Sequence, residues 1–80
     1  MESRIELDIH GMTRYQAKLA IDAKLRRAGS GVYRISIIHG YHGGTSLRDF
    51  VRETYKAHPK VLRIEAGLNQ GATDLVLKEY

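Results

Sequence analysis

Asp8 and His10 sit two residues apart in Ile5-Glu6-Leu7-Asp8-Ile9-His10, a segment in which apolar and polar side chains alternate. That period predicts a half-buried strand, and on a strand positions i and i+2 project from one face. A carboxylate beside an imidazole is a general acid–base pair suited to neutral pH, because the carboxylate orients the ring and stabilises its charged form. The same two residues also suit a solvated strand face, one of them capping the turn, so spacing leaves both readings open. Gly11 ends the segment.

A second constellation is His39-Gly40-Tyr41-His42-Gly43-Gly44-Thr45-Ser46. Glycines at 40, 43 and 44, ahead of a helix, let backbone N–H groups approach an anion where the helix dipole favours negative charge. The pattern is neither a Walker A loop nor a dinucleotide fingerprint, and a plain flexible connection is the competing reading. Arg48 falls in the first turn of that helix, where a cation opposes the dipole unless an anion is bound. Arg48, Arg52 and Lys56 recur at i, i+4 and i+8, while Arg14, Lys18, Arg26 and Arg27 decorate the first helix. Such a stripe can follow a phosphate backbone, or it can pair with Asp49 and Glu53 as a solvated face. Tyr41 is the candidate for stacking on a base. Four histidines without cysteine raise a metal site from Asp8, His10, His39 and His42, but the spacing matches no structural zinc pattern, so no protein-held metal is expected.

The elements that must position these groups follow from pattern and length. The chain has 80 residues, 42 % hydrophobic and 28 % charged, with 13 Lys+Arg against 9 Asp+Glu for a net charge of +4. That is one globular domain, residues 1–80, with one core. The absence of cysteine removes disulfides and thiol catalysis. No apolar run is long enough to span a bilayer, and Met1 to Ile5 shows no signal-peptide pattern, so a cytoplasmic setting is expected. After the first strand, Thr13 and Gln16 form a capping box for a helix with apolar positions Ala17, Ala20, Ile21, Leu25 and Ala28, stopped at Gly29. Val32 to Ile38 is β-branched and predicts a second strand. The second helix carries Leu47, Phe50, Val51 and Tyr55 and ends at His58-Pro59. Val61 to Ala66 and Thr73 to Lys78 complete the set. The order β-α-β-α-β-β predicts a two-layer α/β sandwich, a four-stranded sheet with both helices on one face. The other face, with Glu6, Asp8, His10, Arg34, Ser36, Arg63, Glu65, Asp74 and Lys78, is expected to be wet. Arg63 reaches the Asp8–His10 pair if its strand lies beside the first; otherwise it pairs with Glu65 or Glu6.

Leu7-Asp8-Ile9-His10-Gly11, Ile37-Ile38-His39-Gly40 and Gly67-Leu68-Asn69-Gln70-Gly71-Ala72-Thr73, in this order, resemble the small MutS-related (Smr) domain, over about Ile5 to Leu77. The resemblance implies a fold similar to the C-terminal domain of a bacterial translation initiation factor. It also implies nicking or endonucleolytic cleavage of DNA or RNA, in some members of messenger RNA on stalled ribosomes. Asp8 and His10 match the family's Asp-x-His pair, the presumed catalytic residues. Gly40 with Gly43 or Gly44 match its glycine loop, although His39 stands where threonine is frequent and the loop is one residue longer. The candidate phosphate contacts are thus His39, Gly40, Tyr41, His42, Gly43, Gly44, Thr45, Arg48, Arg52 and Arg63. No cofactor is obligatory, and a divalent cation such as magnesium is compatible. A monomer acting on nucleic acid, with no membrane partner, is the expectation. A non-catalytic RNA-, DNA- or ribosome-binding module and a small-anion binder are the alternatives.

Overall fold

The computed structural model describes residues 3–40, 46–67 and 69–79. The strands are β1 (Arg4–Asp8), β2 (Arg34–Ile38), β3 (Arg63–Ala66) and β4 (Ala72–Val76); the helices are α1 (Arg14–Arg27) and α2 (Ser46–Tyr55). They form one mixed sheet in the order β1-β2-β4-β3. β1 and β2 are parallel, with Asp8 opposite Ile38, whereas β4 runs antiparallel to both β2 and β3. The last strand therefore inserts between β2 and β3. That central place explains why all five of its residues are buried.

Local signals set the helix starts. Thr13 Oγ1 accepts from the Gln16 N–H at 3.1 Å and Gln16 Oε1 accepts from the Thr13 N–H at 3.0 Å, the reciprocal capping box expected from the sequence. The helix ends differ from expectation. α1 stops on Ala28 in an extended conformation whose N–H bonds the Lys24 carbonyl, and Gly29 is not left-handed. α2 ends at Tyr55, before His58-Pro59, because the His58 N–H turns back to the Tyr55 carbonyl at 3.2 Å.

Ile9, Ile35, Ile37 and Leu75 on one sheet face pack with Ala17, Ile21 and Leu25 of α1 and Val51 and Tyr55 of α2 in a single core. Tyr55 also ties the two helices together, its hydroxyl donating to Asp22 Oδ1 at 2.7 Å. Leu62, expected to face the helices, is 55 % exposed, and Val61 enters the core instead. β3 is an edge strand, so its apolar row is incompletely covered.

The opposite face corrects a second expectation: its middle is dry. Ser36 and Asp74, register partners on the two central strands, are only 2 % and 4 % exposed. Arg34 crosses over them, with Nη1 at 2.7 Å from Asp74 Oδ2 and 2.9 Å from Glu65 Oε1. Long side chains from the flanks roof the short ones at the centre. Among the described residues no helix is long and apolar enough to cross a membrane.

Candidate functional site

Three connections meet at the carboxyl ends of the parallel strands, the end where α/β folds place ligands. The Ile9 N–H bonds the Ile38 carbonyl at 2.8 Å, and the Gly71 carbonyl accepts from both His39 and Gly40, at 2.9 and 3.0 Å. Gly11 and Gly40 adopt φ of +80° and +78°, a region open to glycine and strained for other residues. Gly40 lies against His10: a Cβ added there would meet the His10 Cβ at 3.6 Å. So the turn after β1 and the turn after β2 touch. Both helix starts lie there too, joined by the Arg14 guanidinium donating to Ser46 Oγ at 3.0 Å.

Asp8 and His10 stand side by side on this rim, both largely solvent-exposed. Asp8 Oδ1 is 2.5 Å from His10 Nδ1 and also accepts the His10 backbone N–H at 3.0 Å. A carboxylate can only accept, so Nδ1 carries a proton, and Nε2 has no hydrogen-bond partner among the described residues. The side-chain bond to His10, reinforced by the backbone bond, holds the Asp8 carboxyl below the usual carboxylate range, and Asp8 is ionised at neutral pH. The arrangement can move one proton at Nε2.

His39 is built differently. Its ring is buried, with Nδ1 2.9 Å from the Gly40 carbonyl and Nε2 2.9 Å from Thr73 Oγ1. The carbonyl requires the proton on Nδ1, so in the neutral ring Nε2 accepts from the Thr73 hydroxyl. Thr73 Oγ1 in turn accepts from Arg52 Nε at 3.0 Å. Burial lowers the His39 pKa; the Gly40 carbonyl works against this, while the charges of Arg52 and Arg48 reinforce it. Among the sequence candidates, His39 thus holds the Gly40 turn and presents neither ring nitrogen to a ligand. Arg52 and the half-exposed Arg48 flank it, and Arg48 Nε lies 3.3 Å from Asp49 Oδ1.

Arg63 is not beside the first strand. β3 is at the far edge, three strand spacings across and four register positions along from Asp8, or about 20 Å. Its guanidinium is engaged by Glu65 at 2.7 Å and Glu79 at 2.8 Å. Tyr41, His42, Gly43, Gly44 and Thr45 lie outside the described residues. Among the described residues no three His, Cys, Asp or Glu side chains gather as a metal-holding set. Thr73, whose hydroxyl joins β4 to His39 and Arg52, escaped sequence reasoning, and Arg14, read only as one of the cations on the first helix, is brought to Ser46 from 32 positions away. No spacing rule signals either contact.

The comparisons agree with this fold. The crystal structure of the Smr domain of Thermus thermophilus MutS2 superposes with a TM-score of 0.81 at 26 % identity, covering 92 % of this chain and 98 % of that one. No curated protein shows significant similarity to the sequence. The Smr domain family model matches residues 7–77, a span that takes in every described element of the candidate site. The chain belongs to the Smr domain family, whose members are associated with nucleic-acid binding and nicking endonuclease activity.

Proposed function

We propose that this Smr domain is a nucleic-acid phosphodiesterase in which His10 moves the proton and Asp8 orients it. One observation carries the reading: the Asp8 carboxylate holds Nδ1 of an exposed imidazole that lies against the Gly40 turn, and Nε2 has no partner among the described residues. On RNA, Nε2 takes the proton of the 2′-hydroxyl as that oxygen attacks the adjacent phosphorus. The bond to the 5′-oxygen breaks, and the departing oxygen is protonated by the imidazolium, leaving a cyclic phosphate. On DNA a water replaces the hydroxyl. Arg14, Arg48 and Arg52 hold the phosphate and offset charge growing on its oxygens. Among the described residues Asp8 and His10 are joined by no third metal-ligating side chain, and a divalent cation such as magnesium is compatible with this chemistry without being required by it. A monomer working on cytoplasmic nucleic acid, including RNA on the ribosome, is the setting this chemistry fits.

Labelled single-stranded RNA, duplex DNA and branched DNA, each with and without magnesium, test the proposal. The expected result is cleavage that His10→Ala abolishes. For RNA, one 2′-deoxy nucleotide at the cut site should stop the reaction; an unchanged rate would refute hydroxyl attack. A second reading has its own observation, since Asp8 Oδ1 also caps the His10 backbone N–H and so has a structural use. Micromolar binding with no cleavage of any substrate would make the domain a binding module.

A further inference from the structure

At the other end of the helical layer, a cavity of about 490 Å³ opens between α1 and α2, bordered by Lys18, Asp22, Arg26, Tyr55, His58 and Lys60. Its hydrogen-bonding groups are unbalanced. Asp22 is the only carboxylate among the lining residues, and both of its oxygens are taken: Oδ1 by the Tyr55 hydroxyl at 2.7 Å and Oδ2 by Lys18 Nζ at 2.7 Å. The Lys60 backbone N–H donates to His58 Nδ1 at 3.1 Å, which places the neutral ring's proton on Nε2, a donor with no partner among the described residues. Lys60 Nζ gives one of its three N–H bonds to the Leu25 carbonyl at 3.0 Å, leaving two. Arg26 makes no hydrogen bond or ion pair among the described residues. The negative end of the α1 dipole accounts for part of this positive charge, through Lys60 on Leu25. It leaves the Arg26 guanidinium, the His58 Nε2–H and the spare Lys60 donors without an acceptor among the described residues.

We infer that this cavity is a second anion site, which takes a phosphate group on Arg26, His58 Nε2–H and Lys60. Arg26 lies twelve residues beyond Arg14 on α1, about 18 Å along the axis from the rim that carries Asp8 and His10. The site is therefore separate from the proposed active centre and does not depend on its chemistry. Phosphate is the chemistry the donors select, because a tetrahedral oxyanion accepts from several directions at once. A free phosphate ester and a backbone phosphate of a bound strand are the two sources.

Amide chemical shifts of the labelled domain, followed during titration with inorganic phosphate, pyrophosphate and short oligonucleotides at matched chloride ionic strength, test the inference. Saturable shifts at Arg26, His58 and Lys60 with phosphate or pyrophosphate support the site and assign it to a free ligand. Shifts there only with an oligonucleotide long enough to reach from the rim support it and assign it to the strand. Arg26→Glu should weaken whichever ligand binds by about tenfold or more, and Arg26→Ala should do so in the same direction. His10→Ala should leave the shifts at this cavity unchanged even if it abolishes cleavage. No saturable shift at these three residues with any of the ligands would overturn the proposal, as would equal affinity in Arg26→Glu.

Discussion

Replacing Thr73 by valine tests whether the turn beside His10 is held as described. Thr73 is fully buried, and its hydroxyl both donates to His39 Nε2 at 2.9 Å and accepts from Arg52 Nε at 3.0 Å. Valine keeps the shape and the strand preference but removes the oxygen. The His39 Nε2 lone pair is then buried without a donor, which costs about 1–3 kcal/mol. Arg52 is half-exposed and recovers water, so its loss adds about 0.5–1 kcal/mol. A total near 2–3 kcal/mol should lower Tm by roughly 10–20 °C in a domain of this length. Thr73→Ser keeps both bonds and loses only a methyl group, about 1 kcal/mol. Urea unfolding followed by circular dichroism therefore ranks wild type above serine above valine. Nitrogen-detected NMR of the His39 ring should show the Nδ1–H form in wild type and in Thr73→Ser. If Thr73→Val is as stable as Thr73→Ser, the relay from Arg52 through Thr73 to His39 contributes nothing to stability.

His10→Ala should reduce cleavage by about 10²–10⁴-fold with little change in substrate binding, and Asp8→Asn should reduce it less; a gel-based rate assay with a parallel binding titration separates the two effects. Gly67→Ala should destabilise the domain well beyond a surface change, because the new Cβ would stand 2.6 Å from the Ala72 Cβ and 2.9 Å from its backbone carbonyl; equal unfolding midpoints would contradict that clash. Stability should fall with acid in two ranges. His39 has a lowered pKa, so below the usual histidine range near pH 6.5 the unfolded chain takes up a proton that the folded one resists. Asp8 and Glu65, lowered by their hydrogen bonds to His10 and to Arg63 and Arg34, contribute stability above the ordinary carboxylate range, and it is lost as pH falls through their folded values. Urea midpoints measured from about pH 8 to pH 3 should decline gently and then steeply; a midpoint that rises toward acid would reverse the assigned directions. Arg14→Ala should weaken nucleic-acid binding and reduce its salt dependence by close to one counterion, read from the slope of affinity against salt.

Much of this was legible in the residues because the signals are local. Alternation around Leu7 placed Asp8 and His10 on one face, and they do share it, bonded through Oδ1 and Nδ1. The Thr13–Gln16 box marked the start of α1 within a residue, since a cap depends only on its own turn. The order of elements and the two-layer packing followed from hydrophobic period. Strand ends were less legible: β2 begins at Arg34 and β3 at Arg63, each two residues later than the apolar run suggests. Single backbone bonds reach one residue further, as from the Leu62 N–H to the Val76 carbonyl, but the regular register begins only at Arg34 and Arg63.

Lateral order and burial were decided only by the fold. Nothing in the residues of β4 says that it slips between β2 and β3, yet that insertion carries Arg63 to the far edge and buries Asp74 under Arg34. The same insertion brings Thr73 to His39, which turns a histidine that looked like a ligand into the support of the Gly40 turn. A side chain's direction on its own strand follows from a period of two residues, which any short segment carries within itself. Its neighbours across the sheet depend on long-range pairing and the desolvation that comes with it, and those exist only once the chain has closed on its core.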